Sequence, residues 1–304
     1  MEIPVIGSFM LSVEEQAIFA GLLKWRCPGI SGMKKELSIA KNLAIEAGSI
    51  LLNHYQRGVS IDWKAPDDPV TAADREASSL IVGNLKRAFT DHAVLCEEEP
   101  DDLSRLERSH VWMIDPMDGT REFIAHREEF AVQIGLAVQG TPVLGVVYQP
   151  TARKLYYAAH ALGAFLEIDG SATPLHVSPE SVASRMTIAE SRSHRSARVQ
   201  AIRERLRIPE SILTGSVGLK IGILCEGRAH LYVHTGRRTH LWDTCGPEAI
   251  LREAGGRITD VSNRPLRYDT AEVKNLHGIV ATNGVIHDRV VSVTQSVLEG
   301  FSKA

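Results

Sequence analysis

Hydrophobic positions recur at every third or fourth residue through Leu37, Ala40, Ala44, Ala47, Ile50 and Leu51, which predicts an amphipathic helix from Lys34 to Arg57 that stops at Gly58. A short alternating strand over 59–64 follows, then a loop of breakers at Pro66-Asp67-Asp68-Pro69 and a second helix opening at Val70-Thr71-Ala72-Ala73-Asp74. Thr71 and Asp74 have capping-box spacing, with Asp in place of the usual Glu. Ala93 to Cys96 reads as a strand running into Glu97-Glu98-Glu99, and Val111 to Ile114 as a buried strand ending on Asp115. Pro116, with no N–H to give, is expected to halt that strand. Apolar runs at 130–139, 142–149, 154–159 and 163–168, joined by tight turns, predict an antiparallel meander.

From about residue 186 the pattern changes. Strands at 186–189, 211–213 and 229–233 alternate with helices at 197–206 and 219–226. A helix then starts just after Asp243, holds Pro247 near its beginning and ends at Gly255-Gly256. Strands at 257–261 and 278–282 and a last helix from 286 to 298 complete the chain. The expected organisation is an α+β part over 33–180, with an antiparallel sheet, and an α/β part over 181–304. Residues 1–32 fit neither. They read as an extension, either disordered or a non-native leader ahead of a true start at Met33. Glu14 and Glu15 break its apolar runs, which are too short for a secretory signal or a transmembrane helix.

Composition narrows the function classes. The chain is 44% hydrophobic and 23% charged, as in an ordinary globular protein. A net charge of −3 gives no electrostatic case for binding nucleic acid or an anionic membrane. The four cysteines form no C-x-x-C pair, which argues against zinc and against a disulfide framework. They fit a reducing cytoplasm.

The chemistry is in the acids. Asp115 and Asp118, three residues apart with Gly119-Thr120 behind them, would repel each other unless a cation sat between them. All-oxygen ligands suit a hard ion such as Mg²⁺. Two successive strands end on carboxylates, so neighbouring strands can bring Glu97 to Asp115 and Asp118, although a charge run such as 97–99 is equally a solvated loop. Asp243 is either a helix N-cap or a fourth carboxylate supplied by the second half. Ser216 and Lys220 stand where a glycine-rich turn meets a helix, a place for an anion. Six arginines between 192 and 207 read mostly as a solvated helix face.

Four stretches in this order, Asp68 to Asp74, Glu97-Glu98, Asp115 to Phe123 and Trp242 to Gly256, resemble the inositol monophosphatase superfamily of Mg²⁺-dependent, lithium-sensitive phosphatases. Thr120-Arg121-Glu122-Phe123, Ser191 to His194, Gly215 to Lys220 and Leu241 to Cys245 are most similar to its CysQ-type 3′(2′),5′-bisphosphate nucleotidases. The resemblance implies a layered αβαβα sandwich with the site between its halves. It implies two or three Mg²⁺ ions on Glu97, Asp115, the Met117 carbonyl, Asp118 and Asp243. Glu97 and Thr120, the latter polarised by Asp74, would orient the attacking water. Met117, Asp118, Gly119, Thr120 and Asp243 would meet substrate, as would His194, Ser216 and Lys220, with Arg237 or Arg238 nearby.

The implied reaction is hydrolysis of the 3′-phosphate of 3′-phosphoadenosine 5′-phosphate to AMP, with 3′-phosphoadenylyl sulfate as a second substrate. Its rivals are another phosphatase of the superfamily, acting on inositol, sugar or histidinol phosphates, and a non-catalytic metal- and nucleotide-binding protein. The implied enzyme is a cytoplasmic monomer or homodimer, at most peripheral to the inner membrane face, with no nucleic-acid partner.

Overall fold

The computed structural model describes residues 33–57, 61–65 and 68–303. The expected extension at 1–32 and the Gly58 stop lie outside them. In chain order the helices are α1 (Lys34–Arg57), α2 (Ala72–Ala88), α3 (Thr120–Ile124), α4 (Ala197–Leu206), α5 (Val217–Cys225), α6 (Leu241–Glu253) and α7 (His287–Lys303). The first nine strands are β1 (Ile61–Ala65), β2 (Asp68–Thr71), β3 (Ala93–Cys96), β4 (His110–Asp118), β5 (Ala131–Val138), β6 (Thr141–Gln149), β7 (Lys154–Ala159), β8 (Gly163–Ile168) and β9 (Ser171–Pro174). The other five are β10 (Thr187–Ser191), β11 (Glu210–Thr214), β12 (Leu231–His234), β13 (Arg257–Thr259) and β14 (Ile279–Thr282).

Two sheets and three helix layers alternate. Helices α1 and α2 cover one face of a seven-stranded sheet, β3 to β9 in sequence order. On its other face lie α5 and α6, which also meet the five-stranded sheet β11-β10-β12-β14-β13. Helices α4 and α7 close the far side through Val199, Ile202, Leu206 and Val290. This is the layered αβαβα sandwich. Strand β5 is buried along its whole length and β6 in all but its end residues, and both are largely apolar because both of their faces are covered.

Several details depart from the sequence reading. Strand β4 does not stop at Pro116 but continues to Asp118, its register against β5 shifting between Asp115 and Asp118. Such a bulge removes the need for the proline's missing N–H. The stretch read as a loop and a helix start is partly a strand: β2 pairs antiparallel with β1 through Thr71, which caps α2 from extended backbone (φ −119°, ψ 168°). The Thr71–Asp74 capping box is present on both sides. Strand β9 was not predicted; it is short and exposed, so it has no apolar face to betray it. In the second sheet β10 runs parallel to β11 and β12, whereas β12, β14 and β13 are antiparallel. Strand β13 follows α6, and β14 follows a long loop over 260–278 rather than a crossover helix, which simple alternation does not reveal.

The glycines opposite each other on β5 and β6, Gly135 and Gly145, form a slot for α6. A Cβ on Gly135 would lie 2.5 Å from the Gly246 nitrogen, so only the absence of both side chains lets the helix backbone rest on the sheet. Two residues further along α6, Glu248 is buried and accepts a hydrogen bond from the Tyr268 hydroxyl at 2.8 Å. Burial pushes this carboxyl up from 4.5 to about 7, against the Tyr268 bond and Arg252. The folded chain therefore holds that proton more tightly than the unfolded chain does. Stability is greatest below the unfolded value and declines as pH rises from 4.5 to about 7. The loss is up to about 3 kcal/mol. Glu248→Gln should flatten this slope and unfold at a higher temperature than the parent at pH 8. Melting curves at pH 5 and pH 8 that keep the parent's slope would remove Glu248 as its source.

Candidate active site

The sheet order brings the acids together. Strands β3 and β4 are parallel neighbours with Cys96 opposite Ile114, so both chains leave the sheet at the same edge. The Glu97 N–H donates to the Ile114 carbonyl at 3.1 Å, and the Glu97 side chain hydrogen-bonds Asp115. The bulge then turns Asp118 to the same side, while the Met117 N–H donates to Asp115 Oδ1 at 2.9 Å. Gly119 follows at φ 103°, where a Cβ would press within 2.8 Å of the Glu129 carbonyl oxygen.

Asp243 comes from the other direction. It was expected ahead of its helix but occupies the third position within it, because α6 starts at Leu241 behind the N-cap His240. Its carboxylate accepts from the His240 N–H at 2.7 Å. Pro247 accordingly lies inside the helix, where it leaves the carbonyl of Asp243 without an intrahelical donor.

One oxygen from each of Asp115, Asp118 and Asp243 lies within 4.8 Å of the others. Burial raises Asp115 well above the usual carboxylate range, with further repulsion from Glu97, Asp118 and Asp243. Burial and Asp243 push Asp118 up to about 6, against Lys220 and the hydrogen bonds it accepts. Acids so crowded out of water need positive charge to ionise together. A hard divalent cation fits an all-oxygen donor set, and this cluster has the reach to hold one.

Asp118 is the best supported of the four. Its Oδ2 accepts from Ser216 Oγ at 2.6 Å, from the Gly218 N–H at 3.0 Å and from Gln133 Nε2. Ser216 N-caps α5 at φ 48° and takes the Leu219 N–H at 3.1 Å. Its loop is pinned by Glu129, which accepts from the Gly215 N–H at 2.8 Å and pairs with Arg192 at 2.6 Å. Arg192 also donates to the Leu213 carbonyl at 2.7 Å. One member of the arginine cluster, its side chain still 36% exposed, therefore ties β11 to the loop ahead of β5. Lys220 is buried and donates to the carbonyls of Ser216 at 2.8 Å and Gly215 at 3.1 Å.

A cavity of about 630 Å³ opens over this cluster, and Glu97, Asp115, Met117, Asp118, Gly119, Thr120, His194, Ser216, Lys220 and Asp243 all line it. Asp74 lies deeper, at the start of α2, where its Oδ2 accepts from the Thr71 N–H and hydroxyl at 2.7 and 2.6 Å. The Thr120 hydroxyl donates to the Met117 carbonyl at 3.3 Å. The sequence reading missed Gln133 and the cavity-lining residues His234, Thr239, His240 and Lys274. Gln133 carried a signal: it is the one polar residue in the apolar run of β5. His234 ends β12, and the other three are on loops or at a helix cap, where side chains follow no periodicity.

Residues 33–299 match the inositol monophosphatase family, and the chain belongs to it. The 3′(2′),5′-bisphosphate nucleotidase CysQ of Escherichia coli K12 is 35% identical over 233 residues, 76% of this chain and 92% of that protein. Its Salmonella typhimurium counterpart is 36% identical over the same shares of each chain. Among solved structures, CysQ from Bacteroides thetaiotaomicron is 30% identical with a TM-score of 0.72, covering 82% of this chain and 98% of its own. A Thermotoga maritima IMPase is 27% identical with a TM-score of 0.74, covering 88% and 99%.

Proposed function

We propose that this chain is a Mg²⁺-dependent 3′(2′),5′-bisphosphate nucleotidase that converts 3′-phosphoadenosine 5′-phosphate to AMP and phosphate. The convergence of Asp115, Asp118 and Asp243 carries the phosphatase reading. The likeness to relatives bearing the nucleotidase name carries the substrate. We assign two or three Mg²⁺ ions to Glu97, Asp115, Asp118, Asp243 and the Met117 carbonyl. Bound there, they would supply Lewis-acid stabilisation of the phosphoryl oxygens and of the departing ribose oxygen.

The remaining roles belong to the chain itself. Glu97, at the edge of the cluster, orients the attacking water and takes up its proton, and the departing ribose oxygen is protonated by a second water. Thr120 presents its hydroxyl to the same water. To Asp74, in the α2 capping box next to the β2–α3 contact, we assign the part of polarising that hydroxyl. The N–H groups at Gly119 and Thr120 receive phosphate oxygens where positive φ turns the backbone. Lys220 spends two donors on carbonyls and keeps a third for an anion, with His194 at the rim. The part at 33–180 supplies most of the carboxylates, and the part at 181–304 supplies Asp243, Ser216 and Lys220.

Phosphate release with Mg²⁺ from 3′-phosphoadenosine 5′-phosphate, 3′-phosphoadenylyl sulfate, inositol 1-phosphate, histidinol phosphate and a sugar bisphosphate tests the assignment. The adenosine bisphosphate should have the highest kcat/KM, and lithium should inhibit. Faster turnover of inositol 1-phosphate would return the chain to the broader family activity.

A further inference from the structure

Three acids of the cluster each have one oxygen already engaged. Asp115 Oδ1 takes the Met117 N–H at 2.9 Å, and Asp243 Oδ2 takes the His240 N–H at 2.7 Å. Asp118 Oδ2 is engaged most heavily, by Ser216 Oγ at 2.6 Å, the Gly218 N–H at 3.0 Å and Gln133 Nε2. Two of its donors come with the start of α5. The third, Gln133, reaches it from within the large sheet, where it stands opposite Asp115 in the β4–β5 register.

Gln133 is fully buried, at 0% exposure. A Cβ on Gly218 would lie 3.1 Å from its amide carbon and oxygen, so the amide packs against the first turn of α5. Its Oε1 has no hydrogen-bond donor among the described residues. Turning the amide over would set Oε1 against a carboxylate oxygen, acceptor against acceptor. The amide therefore serves Asp118 with one end and leaves the other unpaired. A buried acceptor without a partner costs stability that an apolar side chain of the same shape would not. The fold gains little from a glutamine at this position, and Asp118 gains a donor.

We infer that Gln133 is a positioning residue of the metal site. With Ser216 and Gly218 it holds Oδ2 of Asp118, so that only Oδ1 is turned to a divalent cation. A carboxylate free to swivel must be ordered by each arriving ion, and hydrogen bonds to its second oxygen do that in advance. The inference rests on the metal assignment of the nucleotidase reading and adds to it a residue outside the cavity lining.

Mn²⁺ binding to the full chain without substrate, read from the electron paramagnetic resonance of the free ion, tests it. Gln133→Met, equal in length but without a donor, should weaken Mn²⁺ binding by roughly ten- to a hundredfold. It should melt no earlier than the parent in EDTA. Gln133→Asn keeps the amide but stops one methylene short, and should weaken Mn²⁺ binding as well. Leu136→Met, on the same strand and outside the cavity lining, should keep the parent's affinity. A Met variant that keeps the parent's affinity, or that melts well before the parent in EDTA, overturns the inference, as does an Asn variant with the parent's affinity. These outcomes leave the phosphatase reading standing. Parent Mn²⁺ affinity in Asp118→Asn would instead sink the metal assignment and take Gln133 with it.

Discussion

Asp118→Asn should lower kcat/KM by roughly a thousandfold or more while making the metal-free protein harder to melt. The two effects have one cause. Asp118 is held by Ser216, Gly218 and Gln133 in a place where burial and Asp243 already push its carboxyl up. Removing one of several crowded negative charges relieves the folded state when no cation is present. It also removes an oxygen that a cation needs. Phosphate release and thermal unfolding in EDTA, followed by unfolding with added Mg²⁺, measure both effects. The parent should gain more stability from Mg²⁺ than the variant does. A variant that loses activity and also melts early in EDTA would point to misfolding rather than to a lost metal ligand.

Gly145→Ala should cost more than about 4 kcal/mol and leave little folded protein, although residue 145 does not line the site cavity. Its Cβ would run into the Gly246 carbonyl, whose carbon would be only 2.7 Å away. Both neighbours are backbone, one in the middle strands of the large sheet and one within α6, so no side chain can swing aside. Helix α6 would have to lift from the sheet and take Asp243 with it. Soluble yield and denaturant unfolding report the outcome. A variant that folds and melts like the parent would show that α6 does not depend on the glycine slot to set the height of Asp243.

Much of the site was legible because each carboxylate follows a clear punctuation mark. Glu97 and Asp115 end apolar strands, Asp118 precedes Gly-Thr, and Asp243 follows Trp242 at a helix start. The meander from β5 to β8 was legible for a related reason: its strands are separated by tight turns at residues that disrupt a ladder. The features that proved hidden are those set by distant partners. Pro116 halts a strand in isolation, but pairing with β5 supplies a bulge that accommodates it. Gly135 and Gly145 look like weak points in two strands until a helix more than a hundred residues later is laid across them. The Glu129–Arg192 pair ties the loop ahead of β5 to the second sheet, although Arg192 belongs to an arginine cluster that read mostly as solvated. Asp243 was placed three positions too early, at the N-cap instead of the third helical position, because a histidine N-cap is a weaker sequence signal than the aspartate behind it.

The account stands on four acidic side chains sharing divalent cations. Crystals grown with Mn²⁺, which takes the same oxygen ligands and scatters anomalously, test this directly. The expected anomalous peaks lie between Asp115, Asp118 and Asp243, with one reaching Glu97. An empty cluster in crystals that diffract well and contain millimolar Mn²⁺, or manganese bound only elsewhere, would contradict it.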